Sequence, residues 1–268
     1  MTLNSMYKSK APQQSIQLTM KRLLSLLVLT LGLAQVPAIA ADHIGLNLVQ
    51  ETEASGIYDV WASPDAIKIK SRSNGYVVAA QGPKWMVQVW RDDRKQFGQM
   101  SFGDFMKGDL LVNNRISYLA DCRIPTRTTS STKGVDKLLV YHFPAVEAVS
   151  GSGIFMSDRK DGNDVMSGEK MYPELITFDN GFAPQTAQII CRIYNLPYHK
   201  GFPIAASNEL PNKGSSALLN CKIVGRKFVF KDAQLLPPAN YKKVPITKTM
   251  FFTEGQTDML NELTGGKL

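Results

Sequence analysis

Between residues 58 and 100, apolar and polar positions alternate with a period of two, and turn residues interrupt the alternation at short intervals. Tyr58 to Ala62 is a first short run. Asp65-Ala66-Ile67-Lys68-Ile69-Lys70 then alternates as a half-buried strand does. Ser71-Arg72-Ser73-Asn74-Gly75 carries the Asn-Gly hairpin signal, and Tyr76 to Ala80 returns. Gly82-Pro83 turns the chain into Lys84-Trp85-Met86-Val87-Gln88-Val89-Trp90-Arg91, the most strand-like run of all. Asp92-Asp93-Arg94 leads on to Lys95 to Met100. The pattern predicts an antiparallel meander of four or five strands.

In the Trp85 strand, alternation places Trp85, Val87 and Val89 on one face and Met86, Gln88 and Trp90 on the other. Large apolar groups on both faces do not fit a sheet with one wet side. Either both faces are covered, or one is an apolar surface kept for a ligand. Ser101-x-x-Asp104 has the form of a capping box opening a short helix with Phe102, Phe105 and Met106 on it.

Further on, Pro125 to Gly134 is rich in Pro, Thr, Ser and Gly and predicts a loop, a flap or a seam between halves. Strand signals resume at Lys137 to Phe143. Gly151 to Gly168 is polar and glycine-rich around Ile154 to Met156. Pro184 to Leu196 is the clearest helix, with Ala187, Ile190, Cys191 and Tyr194 on one face and Pro197 ending it. Strands are expected at Ile204 to Ser207, Leu218 to Val224 and Lys227 to Phe230. Thr253-x-x-Gln256 opens a short terminal helix.

The first forty residues change the charge balance. Lys21-Arg22, the apolar run Leu23 to Val36, Pro37 and Ala38-Ile39-Ala40 together have the form of a secretory signal. Cleavage is expected between Ala40 and Ala41, and the protein is expected in the periplasm or outside the cell. Residues 1 to 19 read as an upstream extension. The small residues and proline argue against a retained membrane anchor, and no cysteine follows the apolar run to carry a lipid. The chain has 31 basic and 23 acidic residues, net +8. Residues 1 to 40 contain Lys8, Lys10, Lys21 and Arg22 and no acids, so residues 41 to 268 carry +4. That excess is scattered and suggests no nucleic-acid site.

Residues 41 to 268 suffice for one α+β domain whose core needs no crosslinks. Cys122, Cys191 and Cys221 allow one disulfide plus a thiol, or three thiols, and their spacing fits no zinc motif. Ser150-Gly151-Ser152-Gly153 matches neither a serine elbow nor a phosphate loop. Asp158 to Glu169 has the length of a calcium loop, but Asn163 stands where glycine is needed. No cofactor is expected. Of the three histidines, His43 lies too near the expected mature terminus to hold a rigid site. His142 alternates on a strand, and His199 sits in a loop. Either would have to serve any envelope hydrolase activity.

The segments Ala66 to Lys70, Gly75 to Ala80, Gly82 to Trp90 and Arg94-Lys95-Gln96-Phe97 resemble the meander of the LolA/LolB-like carriers of outer-membrane lipoproteins. Pro237-Pro238-Ala239-Asn240-Tyr241-Lys242-Lys243-Val244 resembles the ending of secreted proteins of this architecture. The resemblance implies an α+β fold in which a curved antiparallel sheet, a half-barrel, wraps around a few helices. It also implies non-enzymatic binding of a lipid or lipoprotein acyl chain on an apolar concave face, with no catalytic residue. The expected ligand-binding residues are Tyr76, Trp85, Val87, Trp90 and Phe97, with Phe102, Phe105 and Met106 as a cover. A module that binds another envelope protein through an exposed apolar face is the alternative.

Overall fold

The computed structural model describes residues 42–53, 55–107, 110, 122–133, 136–147, 170–179, 181–211 and 214–264. The expected signal segment, the Ser150–Gly153 motif and the Asp158–Glu169 loop lie outside these residues. The fold is mostly β with few helices, built on a large, open, curved sheet.

The meander is present as β2 (Gly56–Ala62), β3 (Ala66–Ser71), β4 (Tyr76–Gln81), β5 (Val87–Arg91) and β6 (Gln96–Met100), each antiparallel to the next. The Asn74-Gly75 turn closes as expected. Gly75 takes φ +72° and its N–H donates to Ser71 O at 3.1 Å. Ahead of the meander runs a strand that the sequence reading did not include, β1 (Asp42–Thr52).

From β6 the chain passes through α1 (Phe102–Lys107), where Asp104 N–H donates to Ser101 Oγ at 3.1 Å. The second half consists of β7 (Arg127–Lys133), β8 (Asp136–His142), β9 (Val146–Glu147), β10 (Lys170–Phe178), α2 (Pro184–Tyr194), β11 (Phe202–Leu210) and β12 (Gly214–Lys231). β13 (Lys242–Lys243) and α3 (Glu254–Thr264) follow. Along the sheet the order is β13-β6-β5-β4-β3-β2-β1-β12-β11-β10-β8-β7, with β9 beside β10. The two halves therefore join at one long seam, β1 against β12, in register from Asp42 opposite Lys231 to Thr52 opposite Leu219.

Three expectations need correction. The predicted loop Pro125–Gly134 is largely the strand β7, whose residues Arg-Thr-Thr-Ser-Ser-Thr-Lys are all exposed. An edge strand paired on one side needs no apolar face, and threonine suits an extended backbone. The two strands expected at 218–224 and 227–230 are one strand, β12, which stays paired to β1 across two register shifts. The strand expected from Lys84 begins only at Val87, because residues 82–85 form the turn and Trp85 N–H donates to Gln81 O at 2.9 Å.

One face of the sheet, here called inner, carries α2. Thr186, Ala187, Ile189, Ile190, Cys191, Ile193 and Tyr194 are all buried, a wider stripe than the one face expected. Each isoleucine so buried contributes about 1.5–3 kcal/mol. Asn195 ends the helix in the left-handed conformation, φ 54° and ψ 42°.

The C-terminal segment crosses from the outer face to the inner one around the β6 edge. Leu235 and Tyr241 pack on the outer face, and β13 pairs in parallel with β6. Ile246, Met250 and Phe251 then enter the inner core. Buried Arg91 anchors this strap, donating to Phe252 O at 2.7 Å and to both carboxylate oxygens of Asp93. The terminal helix α3 has a reciprocal capping box, Thr253 N–H to Gln256 Oε1 and Gln256 N–H to Thr253 Oγ1.

Candidate functional site

The cross-strand pairs Tyr76–Arg91, Val78–Val89 and Val77–Trp90 fix where the expected ligand-binding residues point. Tyr76, Val87 and Val89 belong to the inner cluster. Trp90 and its neighbour across the ladder, Phe97, belong to a second cluster on the outer face. Trp85 is not on the strand at all. It sits in the turn at φ +49°, half-buried, with its ring against Gly82 and its edge on the inner cluster. From α1, Phe105 is buried in the inner cluster while Phe102 and Met106 pack partly against it. The eight residues thus form two groups on opposite faces rather than one surface.

The outer group is covered. Trp90 is 3% exposed among Val77, Ala79, Phe230 and Leu235, with Tyr241 of the strap against the cluster. Lys68 Nζ lies 5.5 Å from the ring centroids of both Trp61 and Trp90. Burial, with Lys70 nearby, holds its ammonium pKa below the usual lysine value.

The inner group surrounds buried polar side chains that periodicity alone does not reveal. Gln50 is fully buried. Its Nε2 donates to Pro203 O at 2.9 Å, and its Oε1 accepts from the Tyr194 hydroxyl at 3.0 Å. The Tyr58 and Tyr76 hydroxyls are 3.3 Å apart, the Tyr58 and Tyr194 rings meet at a tilt with centroids 4.9 Å apart, and Phe251 of the strap meets Tyr76 edge-on at 5.1 Å. Burial raises the phenol pKa of Tyr76 and Tyr194 well above the ordinary value, and pushes the Cys191 thiol up to about 12 and the Cys221 thiol up to about 11. None of the three cysteines forms a disulfide.

The three histidines occupy different environments. His43, expected to be loosely held, is 3% exposed. Its Nδ1 lies 3.0 Å from Asp65 Oδ1 and its Nε2 lies 2.7 Å from Asp232 Oδ1, while Gln81 Nε2 donates to the same Asp232 oxygen at 2.7 Å. The reason is topological: β1 pairs with β12 from its first residue, which sets His43 opposite Phe230, and Asp65 just before β3 holds the other side of its ring. His199 stacks on Tyr141 at 4.8 Å, and burial lowers its pKa below the ordinary histidine value.

His142 lines an open cleft of about 600 Å³ at the ends of β7, β8, β10 and β11. Its Nδ1 is 3.2 Å from Glu174 Oε2, and Arg127 Nη2 approaches its Nε2 at 3.3 Å. A carboxylate thus orients the imidazole, but a guanidinium stands where a nucleophile would have to be. Ser207 and Ser215 also line this cleft.

Among the described residues, no group of three or more His, Cys, Asp or Glu side chains could hold a metal ion, and no helix is long and apolar enough to cross a membrane. No protein-family model matches the chain, and no curated protein matches it.

Proposed function

We propose that this chain is a non-enzymatic cell-envelope protein, exported by its N-terminal signal, that takes up a lipid or lipoprotein acyl chain on the inner face of its sheet, in the manner of the LolA/LolB-like half-barrel carriers. One observation supports the reading above the others. The inner face is apolar across both halves of the sheet, from Val87 and Val89 through Leu48 to Leu175 and Tyr141, and what covers it is not a second sheet. The cover consists of separate pieces, α1, α2 and residues 246–251, each of which can be displaced without breaking the strand ladder. An acyl chain replacing α1, which packs here through Phe102, Phe105 and Met106, would exchange apolar contacts for apolar contacts at little net cost. The ligand-binding role rests on Tyr76, Val87 and Trp85 with Phe102, Phe105 and Met106, and Trp90 and Phe97 take no part in it.

The test is native mass spectrometry of the protein purified from its own envelope, followed by titration with a phospholipid and a fatty acid. A copurifying or added acyl species at one per chain is expected. A clean unliganded mass that gains nothing from either lipid would refute the reading and turn attention to a protein partner.

A further inference from the structure

We propose that the cleft at the ends of β7, β8, β10 and β11 is a second binding site, for an organic cation: a primary ammonium or guanidinium carried on an apolar stem. The strand register builds the site. Arg127 lies opposite His142, His142 opposite Glu174, and Glu174 opposite Ser207, so one row crosses four strands on the outer face. Two residues further along β10, on the same face, Tyr172 lies opposite Glu209, which lies opposite Ser215.

The first row is balanced within itself. Arginine has only donors, so the 3.3 Å contact makes His142 Nε2 the acceptor. The ring proton is then on Nδ1, facing Glu174 Oε2 at 3.2 Å. In this arrangement Arg127 and Glu174 flank the imidazole, and the one positive charge offsets the one negative. The second row is not balanced. Glu209 is exposed and has no ion-pair partner among the described residues. Across the ladder stands Tyr172, 44% exposed, an aromatic ring beside an unmatched carboxylate. That pairing recognises a cation by charge and by the ring face together. Pro173 and Phe143 supply an apolar floor for a stem, and about 600 Å³ is the size of a small-ligand site.

Arg127 at the far end sets the remaining preference. It repels a second positive charge and can donate to a carbonyl, so a monocation with a hydrogen-bond acceptor at its other end fits best. Such chemistry can come from a free aliphatic amine or from a lysine side chain in a peptide.

The two sources are separated by titrating the protein with n-pentylamine and with acetyl-Gly-Lys-Gly-amide, following amide shifts by NMR, with the norleucine peptide as the uncharged control. Saturable binding of the lysine peptide is expected, weaker for pentylamine and absent for the norleucine peptide. Glu209→Gln should weaken binding at least tenfold and Tyr172→Leu severalfold. Both are exposed positions, and an unchanged melting temperature confirms that each variant is folded. Pentylamine binding as tightly as the peptide would assign the site to free amines. No binding of either cation, or undiminished binding to Glu209→Gln, would overturn the proposal. The inner face plays no part in this assay, so the acyl-chain reading stands or falls separately.

Discussion

The tie between helix α2 and strand β1 gives the sharpest test of the inner core. Tyr194→Phe keeps the ring against Tyr58 and removes only the donor to Gln50 Oε1. Gln50 retains its bond to Pro203 O and its contact with the Cys221 side chain, so the expected cost is that of one neutral hydrogen bond, about 1 kcal/mol. Gln50→Leu is harsher. It leaves the buried Tyr194 hydroxyl without its acceptor and the Pro203 carbonyl without its side-chain donor. At about 1–3 kcal/mol for a stranded group, a total near 3 kcal/mol is expected. In the double variant there is no tyrosine hydroxyl left to strand. Its loss should fall short of the sum of the single losses by about 1–2 kcal/mol. Urea denaturation of the four proteins, followed by tryptophan fluorescence, measures all sides of the cycle. Costs that add to within about 0.5 kcal/mol would show that Tyr194 and Gln50 do not interact, and would sink the account of how the helix is held.

Four further outcomes are expected. Gly98→Ala places a Cβ 2.5 Å from Ile246 Cγ1 and 2.8 Å from Val244 O, so the strap must shift; a loss of about 1–3 kcal/mol in urea is expected, with faster proteolysis after residue 240. Arg91→Met removes the anchor of that strap, and the Phe252 carbonyl loses its charged donor, costing about 2 kcal/mol by the same assay. The Arg91 guanidinium also holds the Asp93 carboxyl below its usual value. That stabilisation is fully present above about pH 4 and is lost as pH falls through the depressed value, so Arg91→Met should flatten the acid limb of the urea midpoint against pH. Finally, Cys191 and Cys221 should resist a thiol reagent in the native protein at pH 8 and react on unfolding, because burial keeps both thiols protonated.

The meander, both capping segments and helix α2 were legible in the sequence because their period, turn residues and caps agree. What escaped has identifiable causes. β1 begins close to the expected cleavage point, and nothing local in Asp42-His43-Ile44 shows that Lys231 and Phe230 will pair with it. β10 carries Pro173 within it, a residue that argues against a strand, yet Pro173 still offers its carbonyl to Phe143 N–H at 3.0 Å. β7 has no apolar residue to register a period. The strand position expected for Trp85 failed because alternation holds only where the strand does and the turn reaches residue 85, although its ring still packs against the inner cluster that holds Val87. Of the candidate sites, the apolar content of the inner face was visible in sequence. The ladder of Arg127, His142 and Glu174 was not, since it depends on pairings between three separate strands.

The seam between β1 and β12 bears on how the molecule reaches this state. The meander and the strands β7 to β8 can form from hairpins between close neighbours, each at a small entropic cost. Joining the two halves requires Thr52 to find Leu219 and Asp42 to find Lys231, the most distant strand pairing among the described residues. Loop-closure entropy for that step is paid before any seam contact forms, so folding should be limited by it and slow for a protein of this size. Until the seam closes, β1 and β12 each present an unpaired edge, and it is in that interval that the chain is most exposed to strand pairing with its own kind.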